Sequence, residues 1–154
     1  MTVSMSFNMK IAFFINLYNA LVIHGFVVLG PPVGTSKRHH FFNHTCYNVG
    51  GLVYSLNDIA HGVLRGNQKP HGAYRRVFHK HDPRINNAVV VWDPRIHFAL
   101  VSGNRSCPSL KVYSPAALEE QLSQCTRDYC SKHVGVTPPK PGEKSTKTQV
   151  SASG

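Results

Sequence analysis

Met9-Lys-Ile-Ala-Phe-Phe-Ile-Asn-Leu-Tyr-Asn-Ala-Leu-Val-Ile-His-Gly-Phe-Val-Val-Leu29 is the longest apolar run in the chain, and its reading decides the fold. Three structures compete for it. A signal peptide needs a small-residue cleavage site, yet the run ends Val28-Leu29-Gly30-Pro31-Pro32, and proline just past a cut is unfavourable. A membrane span has about the right length, but Asn16, Asn19 and His24 would each need a partner in the bilayer. A buried helix of a globular domain accommodates all three. On such a helix Asn16, Asn19 and Ile23 share one face and can hydrogen-bond to neighbouring backbone, while Phe13, Leu17, Leu21 and Val28 are available to the core. Pro31-Pro32 then stops the helix.

Outward from this helix, residues 1–9 are a lead-in and 10–136 form a single domain, a size that buries a core without metal or disulfide staples. Gly30 to His44 reads as a loop rich in Gly, Pro and basic residues. His39, His40, His44 and Cys46 fit no established zinc spacing, so no metal is expected there. Cys46 to Tyr54, with Gly50-Gly51 at its centre, predicts two short strands and a tight turn. A short helix follows, with Ser55 as N-cap, Asp58 completing a capping box, Leu56, Ile59, Val63 and Leu64 at helical spacing, and Gly66 at its end. Gly66 to Arg84 is a long basic loop.

Ala88 to Trp92 is a continuous apolar run that reads as a buried strand, and Arg95 to Val101 as the strand returning after an Asp93-Pro94 turn. Alternation places His97 with Ala99 and Val101, enclosed rather than free in solvent. After a loop from Ser102 to Tyr113, Ser114 caps and Pro115 opens a final helix with the stripe Leu118, Leu122, Cys125, Tyr129. From 137 to 154 the chain is a polar tail, expected to be disordered. The fold class is therefore α+β: a long buried N-terminal helix, a few short antiparallel strands, a second short helix and an amphipathic C-terminal helix.

The formal net charge is +10, with 17 Lys and Arg against 7 Asp and Glu. An excess of this size points to anionic partners, but here it comes from scarce carboxylates rather than a dense basic run, which disfavours nucleic acid. Cys46, Cys107, Cys125 and Cys130 follow no secreted framework and read as reduced thiols of a cytoplasmic protein.

Four blocks taken together resemble a known family: Ala12-Phe-Phe-Ile-Asn-Leu-Tyr-Asn-Ala-Leu21, Gly50-Gly-Leu-Val-Tyr-Ser-Leu-Asn-Asp-Ile-Ala-His-Gly-Val-Leu-Arg65, Asp93-Pro-Arg-Ile-His-Phe-Ala-Leu100 and Ser106-Cys-Pro108. In this order and spacing they are similar to the domain of unknown function 547 family. The resemblance implies an intracellular domain with no assigned reaction. It also implies a Glu where Ala60 stands, a Cys-Gly pair where Ser102-Gly103 stands, and a further strand with an aromatic-rich segment where this chain turns polar.

Two chemistries fit these residues. In the first, a thiol-dependent hydrolase or transferase, Cys107 is the nucleophile, His97 or His61 the activating base, and Asn16 or Asn19 the group that orients the base or donates to an oxyanion. Arg105 would help lower the thiol pKa. In the second, a non-catalytic module binds a protein or an anionic ligand with Arg65 and Arg95 as bidentate anchors, and Asn16, Asn19 and Asp58 complete the polar set. Neither reading calls for a cofactor, and neither calls for a membrane.

Overall fold

Ser6 caps the first helix, its side chain accepting from Met9 N, and α1 then runs Phe7–Leu29 until Gly30 takes up φ 77°. The computed structural model describes residues 5–69, 74–104, 106–137 and 149–152. The buried face of α1 is Ile11, Phe14, Ile15, Tyr18, Leu21, Val22 and Gly25, a stripe at three- and four-residue spacing. The facing read from sequence needs correction. Phe13 is 39% and Val28 64% exposed, Leu17 is only half-buried, and Leu21 alone of the expected set is fully in the core.

Gly30 to His44 is not the expected loop, because residues from Thr35 to His44 form a second helix, α2. Intrinsic propensity is a weak guide here, since tertiary packing decides. Phe41 is buried against α1, where a side-chain carbon at Gly25 would lie 2.6 Å from the Phe41 ring, and Phe26 stacks on the same ring at 5.2 Å. The hairpin follows as expected. Strand β1 (Cys46–Val49) pairs antiparallel with β2 (Leu52–Ser55), Cys46 opposite Ser55 and Val49 opposite Leu52. Gly50 and Gly51 turn it at φ 60° and 85°, the conformation that glycine tolerates best.

Ser55 and Asp58 make the reciprocal capping box: Ser55 N donates to Asp58 Oδ2 at 2.9 Å and Asp58 N to Ser55 Oγ at 3.1 Å. The helix that follows widens into a π-turn over Asp58–Val63, and Leu56, Ile59, Val63 and Leu64 are all fully buried. Gly62 lies flat against the ring of Phe78, with no room for a side chain.

The strands predicted over Ala88 to Trp92 and Arg95 to Val101 are absent. Val89 is buried, but Val90 is 94% and Val91 66% exposed. Two 3-10 turns stand instead, Pro83–Asn87 and Pro94–Phe98, each opened by an aspartate whose side chain accepts from the arginine two residues on. They are one motif used twice, Asp-Pro-Arg-Ile at 82–85 and 93–96. Proline fixes φ at the first helical position, so the sequence favours a helical turn over a strand. Burial in the second turn accordingly follows a period of three, Ile96 then Ala99, and His97 is exposed rather than enclosed.

Asparagine amides do for these loops what a strand ladder would have done. Asn19 Nδ2 donates to Ala99 O at 3.0 Å while its Oδ1 accepts from Val101 N at 2.9 Å. Asn16 grips Tyr113 the same way at 2.7 and 2.9 Å, and the buried Asn67 grips Phe78 at 2.9 Å through both atoms. A side-chain amide carries one donor end and one acceptor end, so it pairs with backbone as a neighbouring strand does.

Ser114 Oγ accepts from Ala117 N, and Pro115 lies in the lead-in turn rather than in the helix, so α3 begins later than expected and runs Leu118–His133. Leu118, Leu122 and Cys125 are buried, and Tyr129 meets Phe98 with ring centroids 5.0 Å apart. All four cysteines are free thiols. Of the tail expected to be disordered, residues 138–148 and 153–154 lie outside the described residues. On either side of 138–148, β3 (Val134–Thr137) pairs antiparallel with β4 (Gln149–Ala152).

Candidate functional site

The π-turn and the second Asp-Pro-Arg-Ile turn bring His61, Arg65, Trp92 and His97 together. His61 and Arg65 are four residues apart at the widened end of a helix, which puts them on one side of it. The Arg65 guanidinium lies over the Trp92 ring at 5.3 Å from its centroid. His97 meets the same indole edge-on, centroids 5.9 Å apart and planes at 79°. The indole is thus a platform between a cation and an imidazole.

The polar atoms of this cluster are unusual in what they lack. His61 Nδ1, Arg65 Nε and Trp92 Nε1 are all shielded from solvent, and none has a hydrogen-bond partner among the described residues. Arg65 forms no ion pair among them either. Ala60, where a glutamate is implied by the resemblance, packs against the core and adds no acceptor. Burial, then the Arg65 charge, then His97 push the His61 pKa below its ordinary value of 6.5. Partial burial and then Arg65 lower His97 in the same direction. Both imidazoles are therefore neutral near pH 7, and the guanidinium is the site's positive charge.

Cys107 lies elsewhere in the network. Its Sγ accepts from Ser102 N at 3.0 Å and its own N–H donates to Asn104 O. Cys107 acts on Tyr18, whose pKa burial and then Cys107 push upward while Arg38 opposes that rise, and it lines a depression with Lys111, Asp128, Tyr129, Lys132 and His133. Arg38 donates to Ser102 O at 2.8 Å. No hydrogen bond joins Cys107 to His61 or His97 among the described residues, and Arg105 is outside them. Asn16 and Asn19 hold backbone with both ends of their amides, as described above, so neither reaches a histidine. Asp58 is committed to the capping box and to Arg84 Nη1 at 2.9 Å. Arg95 is committed to Asp93, to Glu119 at 2.7 Å and to Ser123 Oγ at 2.8 Å.

Of the residues singled out from sequence, then, His61, Arg65 and His97 converge, while Asn16, Asn19, Asp58 and Arg95 make hydrogen bonds and ion pairs that hold the fold. Trp92 is the member that sequence reading missed as a site residue, along with Tyr18 near Cys107. An arginine four residues after a histidine was a usable signal. The stacking of Arg65 on a tryptophan 27 positions later was not, because it depends on Val89 N docking on Val63 O at 3.0 Å. Among the described residues no three His, Cys, Asp or Glu are grouped to hold a metal ion.

Fold and site together define an α+β domain built on one long core helix, with an arginine–tryptophan–histidine cluster at one edge. The chain belongs to the family described as "Protein of unknown function, DUF547", whose model matches residues 2–130. No curated protein and no solved structure matches the chain.

Proposed function

We propose that the domain binds an anionic ligand, a carboxylate or phosphate oxyanion, at the Arg65 cluster. The observation that carries this reading is the set of three solvent-shielded nitrogens, on His61, Arg65 and Trp92, with no hydrogen-bond partner among the described residues. A buried donor left without an acceptor costs about 1–3 kcal/mol, so such a set is stable chiefly when something else supplies the oxygens. Two of these atoms are obligate donors and one belongs to a permanent cation, so the complementary ligand is an acceptor carrying negative charge. Stacking on Trp92 fixes the guanidinium plane in advance, which cuts the ordering cost of binding. The neutral imidazoles of His61 and His97 can complete the shell as donors through one nitrogen each.

A thiol-dependent reaction with the candidate bases has less behind it, because it needs an imidazole bonded to the thiol, and among the described residues the Cys107 Sγ accepts from Ser102 N and bonds neither His61 nor His97. Calorimetric titration with inorganic phosphate and with acetate tests the binding reading. Binding of at least one probe with a Kd near ~1 mM or tighter is expected, weakened about tenfold or more by Arg65→Gln through loss of a charge-assisted contact. Arg95→Gln leaves it unchanged. Binding indifferent to Arg65→Gln, or no binding of either probe, would remove the proposal.

A further inference from the structure

A second surface carries features that the Arg65 cluster does not use. α1 continues past the point where it is packed. After Gly25 and Phe26 meet α2, the last turn stands clear of the core: Val27 is 78%, Val28 64% and Leu29 67% exposed, and Val33 in the link to α2 is 79% exposed. Beside them Pro31, Pro32, Ser36 and Phe41 help to line a depression of about 600 Å³. Four large aliphatic side chains left in water within seven residues are a substantial apolar patch.

The charge around this tip is of one sign. α2 reads Thr-Ser-Lys-Arg-His-His-Phe-Phe-Asn-His, with no acid, and no carboxylate occurs in the sequence before Asp58. Lys37 is exposed at the rim of the depression. The N-terminus of α2 at Gly34 has no side-chain cap, so its first N–H groups are available to an anion.

We propose that the α1–α2 tip docks peripherally on an anionic lipid bilayer, Val27, Val28, Leu29 and Val33 entering the boundary between headgroups and acyl chains while Lys37 and the α2 N-terminus meet lipid phosphates. Exposed aliphatic side chains beside a cation and an uncapped helix N-terminus, with no acid among them, fit interfacial binding to an anionic membrane. A protein partner would be met more typically by Trp, Tyr, Met or Arg anchors, and the tip offers valine, leucine and proline. By length and composition α1 could cross a membrane, but 50% of its most apolar window is buried in the domain. Full insertion would strip Ile11, Ile15 and Val22 from the core, whereas docking by the tip leaves them in place.

Co-sedimentation of the full chain with phosphatidylcholine vesicles, with and without about 30 mol % phosphatidylserine, tests the proposal at ~0.1 M salt. Binding to the anionic vesicles alone is expected. The double variant Val27→Ser, Val33→Ser should weaken it about tenfold or more by removing buried apolar area, and Lys37→Gln about fivefold. These side chains touch little of the core, so the melting temperature stays the same. Arg75→Gln with Arg76→Gln, equally exposed cations on the loop after Gly66, should change binding by less than about twofold. Binding equal on neutral vesicles, binding to neither, or a loss that follows Arg75 and Arg76 rather than the valines would overturn the proposal. So would capture of soluble polyglutamate that is lost with the same valine substitutions, since that outcome assigns the tip to an acidic protein.

Discussion

The two Asp-Pro-Arg-Ile turns start from the same four residues and end in different roles. In both, the aspartate accepts from the arginine backbone at 2.9 Å and takes its Nε through both carboxylate oxygens. In each arginine Nη2 bonds the same carboxylate, which holds the guanidinium in one orientation and leaves Nη1 to reach out. Arg84 reaches inward, to Asp58 and to Val53 O at 2.9 Å, and lies 4.7 Å over the Phe78 ring. Arg95 reaches outward, to Ser123 and to Glu119, whose side chain is 68% exposed. The first turn locks the hairpin and the π-turn together. The second fastens α3 and presents His97 to Arg65 and Trp92. The same local structure thus locks one part of the fold and sets His97 beside Trp92 in another, and the surroundings alone decide which.

The largest expected effect separates the two arginines. Arg84→Ala should cost about 2–3 kcal/mol by leaving the mostly buried Asp58 and Asp82 without their cation. Arg95→Ala should cost about 1 kcal/mol, because its outer partner is solvated. Urea denaturation of the two variants measures the gap, and equal losses would mean that the turns are energetically alike.

Acid should act on both turns. The Arg84 hydrogen bond holds the Asp82 carboxyl below its ordinary value of 3.8. Burial works against ionisation of Asp93, but its bonds to Arg95 outweigh that and lower it too. A depressed carboxylate contributes stability that is fully present above the unfolded value and is lost as pH falls through the folded one. Stability should therefore decline below pH 3.8 in both turns, and Asp82→Asn should flatten part of that decline in a melting series.

The smallest effect on stability, and the sharpest on chemistry, comes from His97→Asn, which gives the second turn the residue that the first carries at Asn86. The side chain is exposed, so unfolding free energy at pH 8 should move by less than about 0.5 kcal/mol. Both His61 and His97 lie below 6.5 in the folded state. Their contribution is present above pH 6.5 and falls away as pH drops through the folded values. The variant should keep its stability better than the native chain between pH 6.5 and the acid limit, and identical profiles would show that His97 is not coupled to folding.

Much of this architecture could be read from the chain. The uninterrupted run to Leu29 announced α1, Gly50-Gly51 announced the hairpin, and the stripe from Leu118 to Cys125 announced α3, because each is written in local periodicity or turn chemistry. α2 was hidden because its composition suggests a loop, and only the fit of Phe41 against Gly25 makes it a helix. The missing strands were hidden for a related reason. Ala88 to Trp92 and Arg95 to Val101 are apolar enough for a sheet, but proline set the second turn and the Asn19 amide satisfied the backbone that a sheet would have paired. For the site, sequence supplied His61, Arg65 and His97 as separate candidates alongside Cys107. It could not supply the Trp92 platform that joins Arg65 and His97, nor the hydrogen bonds and ion pairs that engage Asn16, Asn19, Asp58 and Arg95 with other parts of the chain.

If the shielded nitrogens of the Arg65 cluster serve an anion, the two histidines beside them must sense its arrival. Sulfate is a suitable probe, since it does not titrate near neutrality. Following the His61 and His97 ring protons by NMR across pH, with and without sulfate, reads that response at the atoms concerned. A bound anion offsets the Arg65 charge and favours the imidazolium, so both pKa values should rise toward or past 6.5 with sulfate in the native chain and stay put in Arg65→Gln. Histidine titrations unmoved by sulfate, or moved equally in the Arg65→Gln variant, would contradict the account.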